Sequence, residues 1–376
     1  MMNNPIRARF RRALAVCASA VLLAGLPAVH GGPASAEKTI VITFAGDCTL
    51  GSEEETRADA DSFDSVIARE GYAYPFTQFA SLFRSDDWTV VNCEGVLSDS
   101  KAGENKGKRY RFRGPSAFAE ILALASVESV CLANNHTGDY GAGGLKETVR
   151  VLEEQGIGWF RSKNVCFLEK DGIRVAFLAL DPSTRDDLMW VRQETRRLKS
   201  SGEAQAVVVV WHGGTEYSAR HDASQESLGR KFIDYGADLV VMHHSHVVQG
   251  VEIVGSSAVF YSLGNFVFGG NSAIRTELSG SREVTSLYSV VVRAELHFSD
   301  EGEYLGQQLV LFPALTSSDA PRNNYQPFPA GREDAERVMD AVQFDTVFPL
   351  PDPAEEDGYW IVRLPFLPAE TADSNI

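Results

Sequence analysis

Basic side chains are scarce in this chain of 376 residues, which has 35 lysines and arginines against 51 aspartates and glutamates. Four of the 35 lie in the first 36 residues, so the rest of the chain carries 31 basic and 51 acidic residues, a formal charge of −20. This excess of negative charge argues against nucleic acid or an anionic membrane as a partner. An anionic substrate would therefore need a local cluster of basic residues.

Cysteine is also rare. Cys17 lies in the first 36 residues, and Cys48, Cys93, Cys131 and Cys166 remain. Four cysteines permit two disulfides in an oxidising compartment, and a Cys48–Cys93 bridge is one alternative if their strands are neighbours. However, the first three of these four lie within or just after apolar runs, where cysteine behaves as a small hydrophobe. We therefore expect mostly buried thiols.

Acidic residues are absent from the first 36 positions, which contain four arginines and then an apolar run at 13–29. Residues 34–36 (Ala-Ser-Ala) match the small-residue pattern that precedes a cleavage site. We predict that residues 1–36 are a secretory signal peptide and that the mature protein is exported to the periplasm, the cell envelope or the medium. An uncleaved N-terminal anchor is the alternative, because the run approaches the length that spans a membrane.

Six short, uninterrupted apolar runs predict strands that are buried on both faces. They lie at 39–46, 88–91, 127–133, 173–180, 206–211 and 238–242. Helical patterns lie at 74–84, 115–126, 143–155, 187–200, 224–235 and 333–343. Their alternation with the strands predicts an α/β architecture. Further runs at 251–254, 257–262, 286–297 and 304–313 predict antiparallel strands that complete a second sheet, whereas 314–332 is expected to be loop.

Side chains that can bind metals follow the carboxyl ends of these strands. They are Asp47, Glu94, Asn135, His136, His212, His244 and His246. Open α/β sheets place their sites at this edge, and imidazole and carboxylate suit zinc, manganese and iron. Five of the seven histidines after residue 36 lie at strand ends, so a site is favoured over an arbitrary surface distribution.

The same residues stand in motifs that resemble the CapA-type poly-γ-glutamate capsule synthesis family, whose domain is similar to calcineurin-like metallophosphoesterases. The motifs are Gly46-Asp47-Cys48-Thr49-Leu50, Asn92-Cys93-Glu94, Ala133-Asn134-Asn135-His136-Thr137-Gly138-Asp139-Tyr140-Gly141, His212-Gly213-Gly214-Thr215-Glu216-Tyr217, His244-Ser245-His246-Val247 and Tyr261-Ser262-Leu263-Gly264-Asn265-Phe266-Val267-Phe268. The resemblance covers about 39–270. It implies a domain at 37–345, built as a sandwich of two mixed β-sheets flanked by helices, with a C-terminal strand and tail at 346–376.

Carried over by position, the resemblance implies two divalent metal ions, of manganese, zinc or iron. Asp47 and His246 would bind one ion, Asn135, His212 and His244 the other, and Glu94 would bridge both. Metallophosphoesterases usually have a histidine two residues after the first aspartate. This chain has Thr49 there, and the CapA-type family shares the departure.

The resemblance also implies which residues act on the substrate. His136 would donate a proton or stabilise the transition state, with Asn135 as the second catalytic residue. Asp139 and Glu216 would orient the histidines, and Asn265 would lie at a strand end beside the site.

A basic cluster follows one loop after Glu94 and contains Lys101, Lys106, Lys108, Arg109, Arg111 and Arg113. In an extended segment, alternation places Arg109, Arg111 and Arg113 on one side. Guanidinium groups suit carboxylates and phosphates, so we predict that these three arginines bind substrate. A solvated loop is the alternative.

Three functions remain open at this point. The first is an exported, metal-dependent hydrolase or transferase that acts on a phosphoester or an amide bond of an anionic envelope polymer. The second is a non-catalytic factor for capsule assembly or export, which binds anionic polymer within a membrane complex for capsule synthesis. The third is a general secreted metallophosphatase for phosphorylated small substrates.

Overall fold

The computed structural model describes residues 37–181 and 187–369. Its helices are α1 (Phe63–Glu70), α2 (Ala80–Phe83), α3 (Ala119–Leu124), α4 (Gly141–Glu154), α5 (Asp187–Ser201), α6 (Ala223–Asp234) and α7 (Arg332–Gln343). Its strands are β1 (Lys38–Thr49), β2 (Trp88–Cys93), β3 (Val96–Leu97), β4 (Arg113–Gly114), β5 (Ser129–Cys131), β6 (Gly158–Phe160), β7 (Cys166–Lys170), β8 (Ile173–Leu180), β9 (Ala206–His212), β10 (Leu239–His243), β11 (Val251–Val254), β12 (Ser257–Phe260), β13 (Asn265–Phe268), β14 (Thr276–Ser279), β15 (Arg282–Thr285), β16 (Tyr288–Phe298), β17 (Tyr304–Leu315), β18 (Phe328–Pro329), β19 (Ala354–Glu356), β20 (Tyr359–Arg363) and β21 (Leu367–Pro368). The predicted signal peptide lies outside the described residues.

Two large mixed sheets contain most of these strands. The first has the order β19-β20-β17-β16-β1-β2-β5-β6, with β13 also on β1 and with β18 and β21 on β17. Its strands β1, β2, β5 and β6 are parallel, whereas β16 and β17 are antiparallel. The second has the order β11-β12-β10-β9-β8-β7, in which β12, β10, β9 and β8 are parallel. The predicted α/β fold with two mixed sheets is confirmed.

The two sheets pack face to face, and alternate residues of one strand enter different cores. In β8, Phe177 contacts Phe44 and Phe160 of the first sheet at ring-centroid distances of 6.4 Å and 5.8 Å. Its neighbour Leu178 belongs to the core on the other face of the second sheet, with Val191 of α5 and other residues. Each such large side chain contributes roughly 1.5–3 kcal/mol when it is fully buried. Burial on both faces explains why these strands are continuously apolar.

Several predicted boundaries need correction. The helix expected at 74–84 is a 3-10 turn at Tyr74–Phe76 followed by the four residues of α2. The helix expected at 115–126 is likewise a 3-10 turn followed by α3. A proline at the start of each segment fixes the local φ and favours a tight first turn. α1 and the hairpin β14–β15 were not predicted, and β18 lies inside the stretch expected to be loop.

Cys48, Cys93 and Cys131 are buried with free thiols, and the partly buried Cys166 is also free. Burial raises the pKa of the Cys93 and Cys131 thiols to about 12. Cys48 and Cys93 are register partners on β1 and β2 but are not bonded to each other. The expectation of buried thiols is confirmed. In the described parts of the chain, no helix has the length and apolar character needed to cross a membrane.

Candidate metal centre

The polar residues after the parallel strands of both sheets meet at one edge of the sandwich. Asp47 lies near the end of β1, and Glu94 and Asn135 follow β2 and β5, all in the first sheet. His212 ends β9, and the His244–His246 loop follows β10, both in the second sheet. The six predicted metal ligands therefore come half from one sheet and half from the other. The structure brings all six together.

Four possible metal-ligand atoms lie close together, one of them His212 Nε2 itself. Its Nε2 lies 2.8 Å from Asn135 Oδ1, 3.1 Å from His244 Nδ1 and 3.4 Å from Glu94 Oε1. His212 and Glu94 are buried. Two imidazole nitrogens, an amide oxygen and a carboxylate oxygen at this spacing form a ligand set suited to a transition metal.

A second group surrounds the fully buried Asp47. Its Oδ2 lies 3.5 Å from His246 Nδ1, and the same oxygen accepts a hydrogen bond from the backbone N–H of His244 at 3.3 Å. Thr49 is fully buried as well, and its hydroxyl has no hydrogen-bond partner among the described residues. This group therefore offers fewer side-chain ligands than the group around His212.

Glu94 links the two groups. Two sets of side chains have donor atoms that all lie within 4.8 Å of one another, namely Glu94 with His244 and His246, and Asp47 with Glu94 and His212. Glu94 is fully buried, and neither of its carboxylate oxygens has a hydrogen-bond partner in the described part of the chain. Buried polar atoms are nearly always satisfied, so two bare oxygens surrounded by imidazoles fit a cation. These residues could bind a metal.

The charges of the site give His244 and His246 different pKa values. Burial raises the pKa of the Asp47 carboxyl, but hydrogen bonds with His243 and His246 and the charges of His243 and His212 outweigh burial and hold that pKa well below its usual value. Burial lowers the pKa of His246, yet the charges of Glu94 and Asp47 raise it to about 9. For His244, burial and the charge of His212 lower the pKa to about 4. At neutral pH His244 is therefore a neutral ring with one nitrogen lone pair available to a cation, whereas His246 carries protons on both nitrogens and a positive charge.

Unusual backbone geometry places the two histidines. His244 and His246 have φ values of 100° and 57°, in the left-handed region that non-glycine residues rarely adopt. Such conformations cost about 1–3 kcal/mol each and concentrate at functional sites. On the other side, Gly46 lies so close to the loop before β13 that an added Cβ would be 2.1 Å from the Gly264 carbonyl oxygen. Only glycine permits this approach.

His136 lies at the rim of the site and is held by Asp139. Its Nδ1 is 2.6 Å from Asp139 Oδ2, and its Nε2 faces Glu94 Oε1 at 3.8 Å. Lys108 forms an ion pair with Asp139 and donates a hydrogen bond to the Asn135 carbonyl oxygen at 2.8 Å. Asp139 therefore has the orienting contact that was predicted, and Lys108 is an additional cation beside His136.

Sequence reasoning missed two residues of this network. Asn92 donates a hydrogen bond from Nδ2 to Asp47 Oδ1 at 2.8 Å, and the same nitrogen lies 3.1 Å from His212 Nδ1. The second is His243, whose Nδ1 lies 3.2 Å from Asp47 Oδ1. The position of Asn92 at the end of β2, two residues before Glu94 in the same motif, was the available signal.

The remaining predicted residues divide. Asn265 Oδ1 lies 2.9 Å from His246 Nδ1, so Asn265 is in position to orient that ring. Glu216 is exposed, and no hydrogen bond joins it to a site histidine within the described ranges, so its expected orienting contact is not formed. Its charge does contribute to the raised pKa of His246. Its effect on the site is therefore electrostatic and acts from a distance.

The three predicted arginines do not share one face. Arg111 is buried and pairs with Glu104 at 2.8 Å and Glu55 at 2.5 Å. Arg113 is buried and pairs with Glu54 at 2.8 Å. An acidic loop before α1 thus neutralises these two guanidinium groups, which corrects the expected alternation. Arg109 is exposed, and its guanidinium lies 5.0 Å from the Tyr110 ring centroid.

The protein is thus a two-sheet α/β sandwich with a candidate metal centre. Histidines, carboxylates and an amide form this centre at the strand ends. The family model described as bacterial capsule synthesis protein PGA_cap matches residues 41–270, which is more than half of the chain. The chain belongs to this family.

Curated relatives agree with this assignment. The capsule biosynthesis protein CapA of Bacillus anthracis is 27% identical over 254 residues, which cover 61% of this chain and 60% of that protein. The PGA biosynthesis protein CapA of Bacillus subtilis is 27% identical over 246 residues, which cover 60% of this chain and 62% of that protein. The chain thus spans about 60% of the length of these relatives. Among solved structures, a purple acid phosphatase from yellow lupin seeds is 12% identical with a TM-score of 0.39, and the match covers 85% of this chain and 57% of that one.

Proposed function

We propose that this protein is an exported, metal-dependent hydrolase that cleaves a phosphoester or an amide bond in an anionic envelope polymer or its precursor. Membership of the capsule synthesis family supports the envelope role. The observation that carries the proposal is Glu94, a fully buried carboxylate with two bare oxygens between two groups of possible ligands. A purely structural carboxylate at such a depth would have hydrogen-bond donors.

Divalent ions held by Asp47, Glu94, Asn135, His212, His244 and His246 would supply the charge that activates a water molecule and stabilises the oxygens of the transition state. The protein's own residues would handle the proton. Asp139 accepts a hydrogen bond from His136 Nδ1, which leaves Nε2 directed toward the site. From that position Nε2 would protonate the leaving oxygen or nitrogen.

Metal analysis of the purified chain tests the ligand assignment. We expect about two transition-metal ions per wild-type chain and a clear loss in the double variant His244→Ala, His246→Ala. The matched control is His221→Ala, His297→Ala, because those two histidines lie outside the centre. An unchanged metal content in the first variant would remove the basis of the proposal.

Turnover assays test the reaction. The manganese-loaded protein is incubated with bis-p-nitrophenyl phosphate and with γ-glutamyl-p-nitroanilide, and we expect hydrolysis of one of them. Replacing both Asn135 and His136 by alanine should abolish it. Activity that survives this double replacement contradicts the assigned roles of these residues.

One observation favours a second function. Thr49 stands where metallophosphoesterases usually have a histidine, so the group around Asp47 has few ligands. A centre that holds only one ion suits a protein that binds anionic polymer for assembly or export without cleaving it. In that case the metal analysis yields about one ion, and neither chromogenic substrate is hydrolysed.

Export is tested separately. Fractionation of the bacterium should place the protein outside the cytoplasm, and N-terminal sequencing distinguishes a cleaved signal peptide from a retained anchor. Detection of the intact chain only in the cytoplasm would exclude an envelope role.

A further inference from the structure

Arg275 is a cation near the metal centre that comes from a segment not expected to reach it. It lies at the base of the hairpin β14–β15, directly before β14. Its backbone N–H donates a hydrogen bond to Ser286 Oγ at 2.9 Å, and its carbonyl oxygen accepts one from the Ser286 N–H at 2.9 Å. The two ends of the hairpin are therefore tied together, which fixes the point from which the Arg275 side chain starts.

The Arg275 side chain lies on Tyr217. Its guanidinium carbon is 4.1 Å from the centroid of the Tyr217 ring, a cation–π distance. Tyr217 is itself buried, and its backbone N–H donates a hydrogen bond to the Ser245 carbonyl oxygen at 2.9 Å. Its ring centroid is 5.8 Å from that of His246. Two successive ring contacts therefore connect Arg275 to a predicted metal ligand.

Its exposure distinguishes Arg275 from two arginines of the basic cluster. Unlike Arg111 and Arg113, Arg275 is about 39% exposed in its side chain, and its ion partner Glu277 is 38% exposed. Exposed pairs of this kind contribute only about 0–1 kcal/mol, so an incoming anion can replace Glu277 at little cost.

We propose that Arg275, held on Tyr217, binds a second anionic group of the substrate, separate from the bond that is cleaved. This inference rests on the proposed function and specifies its substrate class as molecules with at least two negative groups. Arg275 is thus a specificity-determining residue. A guanidinium can take either a carboxylate or a phosphate in a bidentate contact.

Direct binding measurements on the manganese-loaded full chain test this assignment. The probes are tri-γ-glutamate, the same peptide with its carboxylates amidated, and a trimer of glycerol phosphate, each titrated by calorimetry. We expect Arg275→Gln to weaken one of the two anionic probes by at least tenfold, and the probe that responds identifies the anion as carboxylate or phosphate. Arg275→Lys should recover part of the loss, and the amidated peptide should bind weakly to every variant.

The matched control is Arg282→Gln. Arg282 belongs to the hairpin β14–β15, and its guanidinium carbon lies 4.7 Å from the centroid of the Phe344 ring. The affinity of this variant for the anionic probes should equal that of the wild type. Equal affinity of wild type and Arg275→Gln for both anionic probes overturns the inference.

The outcomes of this test are separable from those of the proposed function. Metal content and chromogenic turnover report on the centre itself, and Arg275→Gln should leave the metal content unchanged. If turnover is absent but anionic probes bind in an Arg275-dependent way, the hydrolase proposal fails and the binding role of Arg275 stands. If turnover is present and the binding of no probe depends on Arg275, the hydrolase proposal stands and the binding role of Arg275 is wrong.

Discussion

The raised pKa of His246 predicts that metal binding releases one proton in the neutral range. Asp47 and Glu94 hold the pKa of His246 at about 9, so the ring is protonated at pH 7 and must lose that proton before it can bind a cation. His244, with a pKa of about 4, releases none. The dissociation constant of the ion that His246 binds should therefore fall about tenfold for each unit that the pH rises, up to pH 9. Between pH 6 and pH 8 this amounts to about 100-fold, or about 2.7 kcal/mol.

The same shift acts on the metal-free protein with the opposite sign. A histidine whose pKa is raised on folding stabilises the folded state below its unfolded value of 6.5, and this contribution is lost as the pH rises to about 9. The loss is about 3 kcal/mol at most. Stability without metal should thus decline between pH 6.5 and 9, while affinity for metal increases over the same interval.

Calorimetric titration of manganese in buffers of different ionisation enthalpy counts the released protons directly. Urea unfolding of the chelator-treated protein at several pH values measures the second effect. Both effects should disappear in His246→Gln and persist in His297→Gln, since His297 lies outside the centre. Manganese affinity that is independent of pH from 6 to 8 in the wild type would refute the reasoning.

Three further predictions concern single residues. Asp139→Asn should lower kcat by about 10- to 100-fold with metal content unchanged, because the proton on His136 Nδ1 loses its negatively charged acceptor. Steady-state kinetics and metal analysis of the same samples check this. Burial raises the pKa of the partly exposed Glu128 to about 7, so its ionisation above that pH destabilises the folded state. Glu128→Gln should therefore stabilise the protein by ~1 kcal/mol at pH 8 and have no effect near pH 4, as measured by the urea midpoints at both pH values. Gly46→Ala should destabilise the fold by several kcal/mol and lower metal content, because its Cβ would overlap the Gly264 carbonyl; thermal unfolding beside Gly138→Ala, where the space is open, measures the difference.

The fold was largely predictable because its central strands are apolar on both faces. Runs such as 173–180 and 206–211 can be buried only between layers, so their position and the polar residues that end them were readable from the sequence. α1 escaped notice because it follows a stretch rich in acidic and small polar residues, and its Ser62 cap carries little weight without a long apolar period. The strands of the hairpin β14–β15 consist mostly of polar residues, so they lack the alternation of apolar and polar residues that indicates a strand.

The candidate site was predictable to the extent that motif position determines proximity. Strand ends converge in any α/β sheet, so the gathering of Asp47 and His246 required no knowledge of side-chain contacts. The fate of the basic cluster did depend on such contacts. Whether Arg111 binds substrate or an internal carboxylate is decided by Glu55 and Glu104, and nothing in local alternation reveals that partnership.

The division of the ligands between the two sheets has a mechanical consequence. A cation bound by Glu94 of the first sheet and His244 of the second would link the two sheets at the carboxyl ends of their parallel strands. Sliding of one sheet over the other would break the bonds to that cation. The centre would therefore lock the relative position of the layers, and a chelator should speed amide exchange first along β2 and β10, the strands that lead into it.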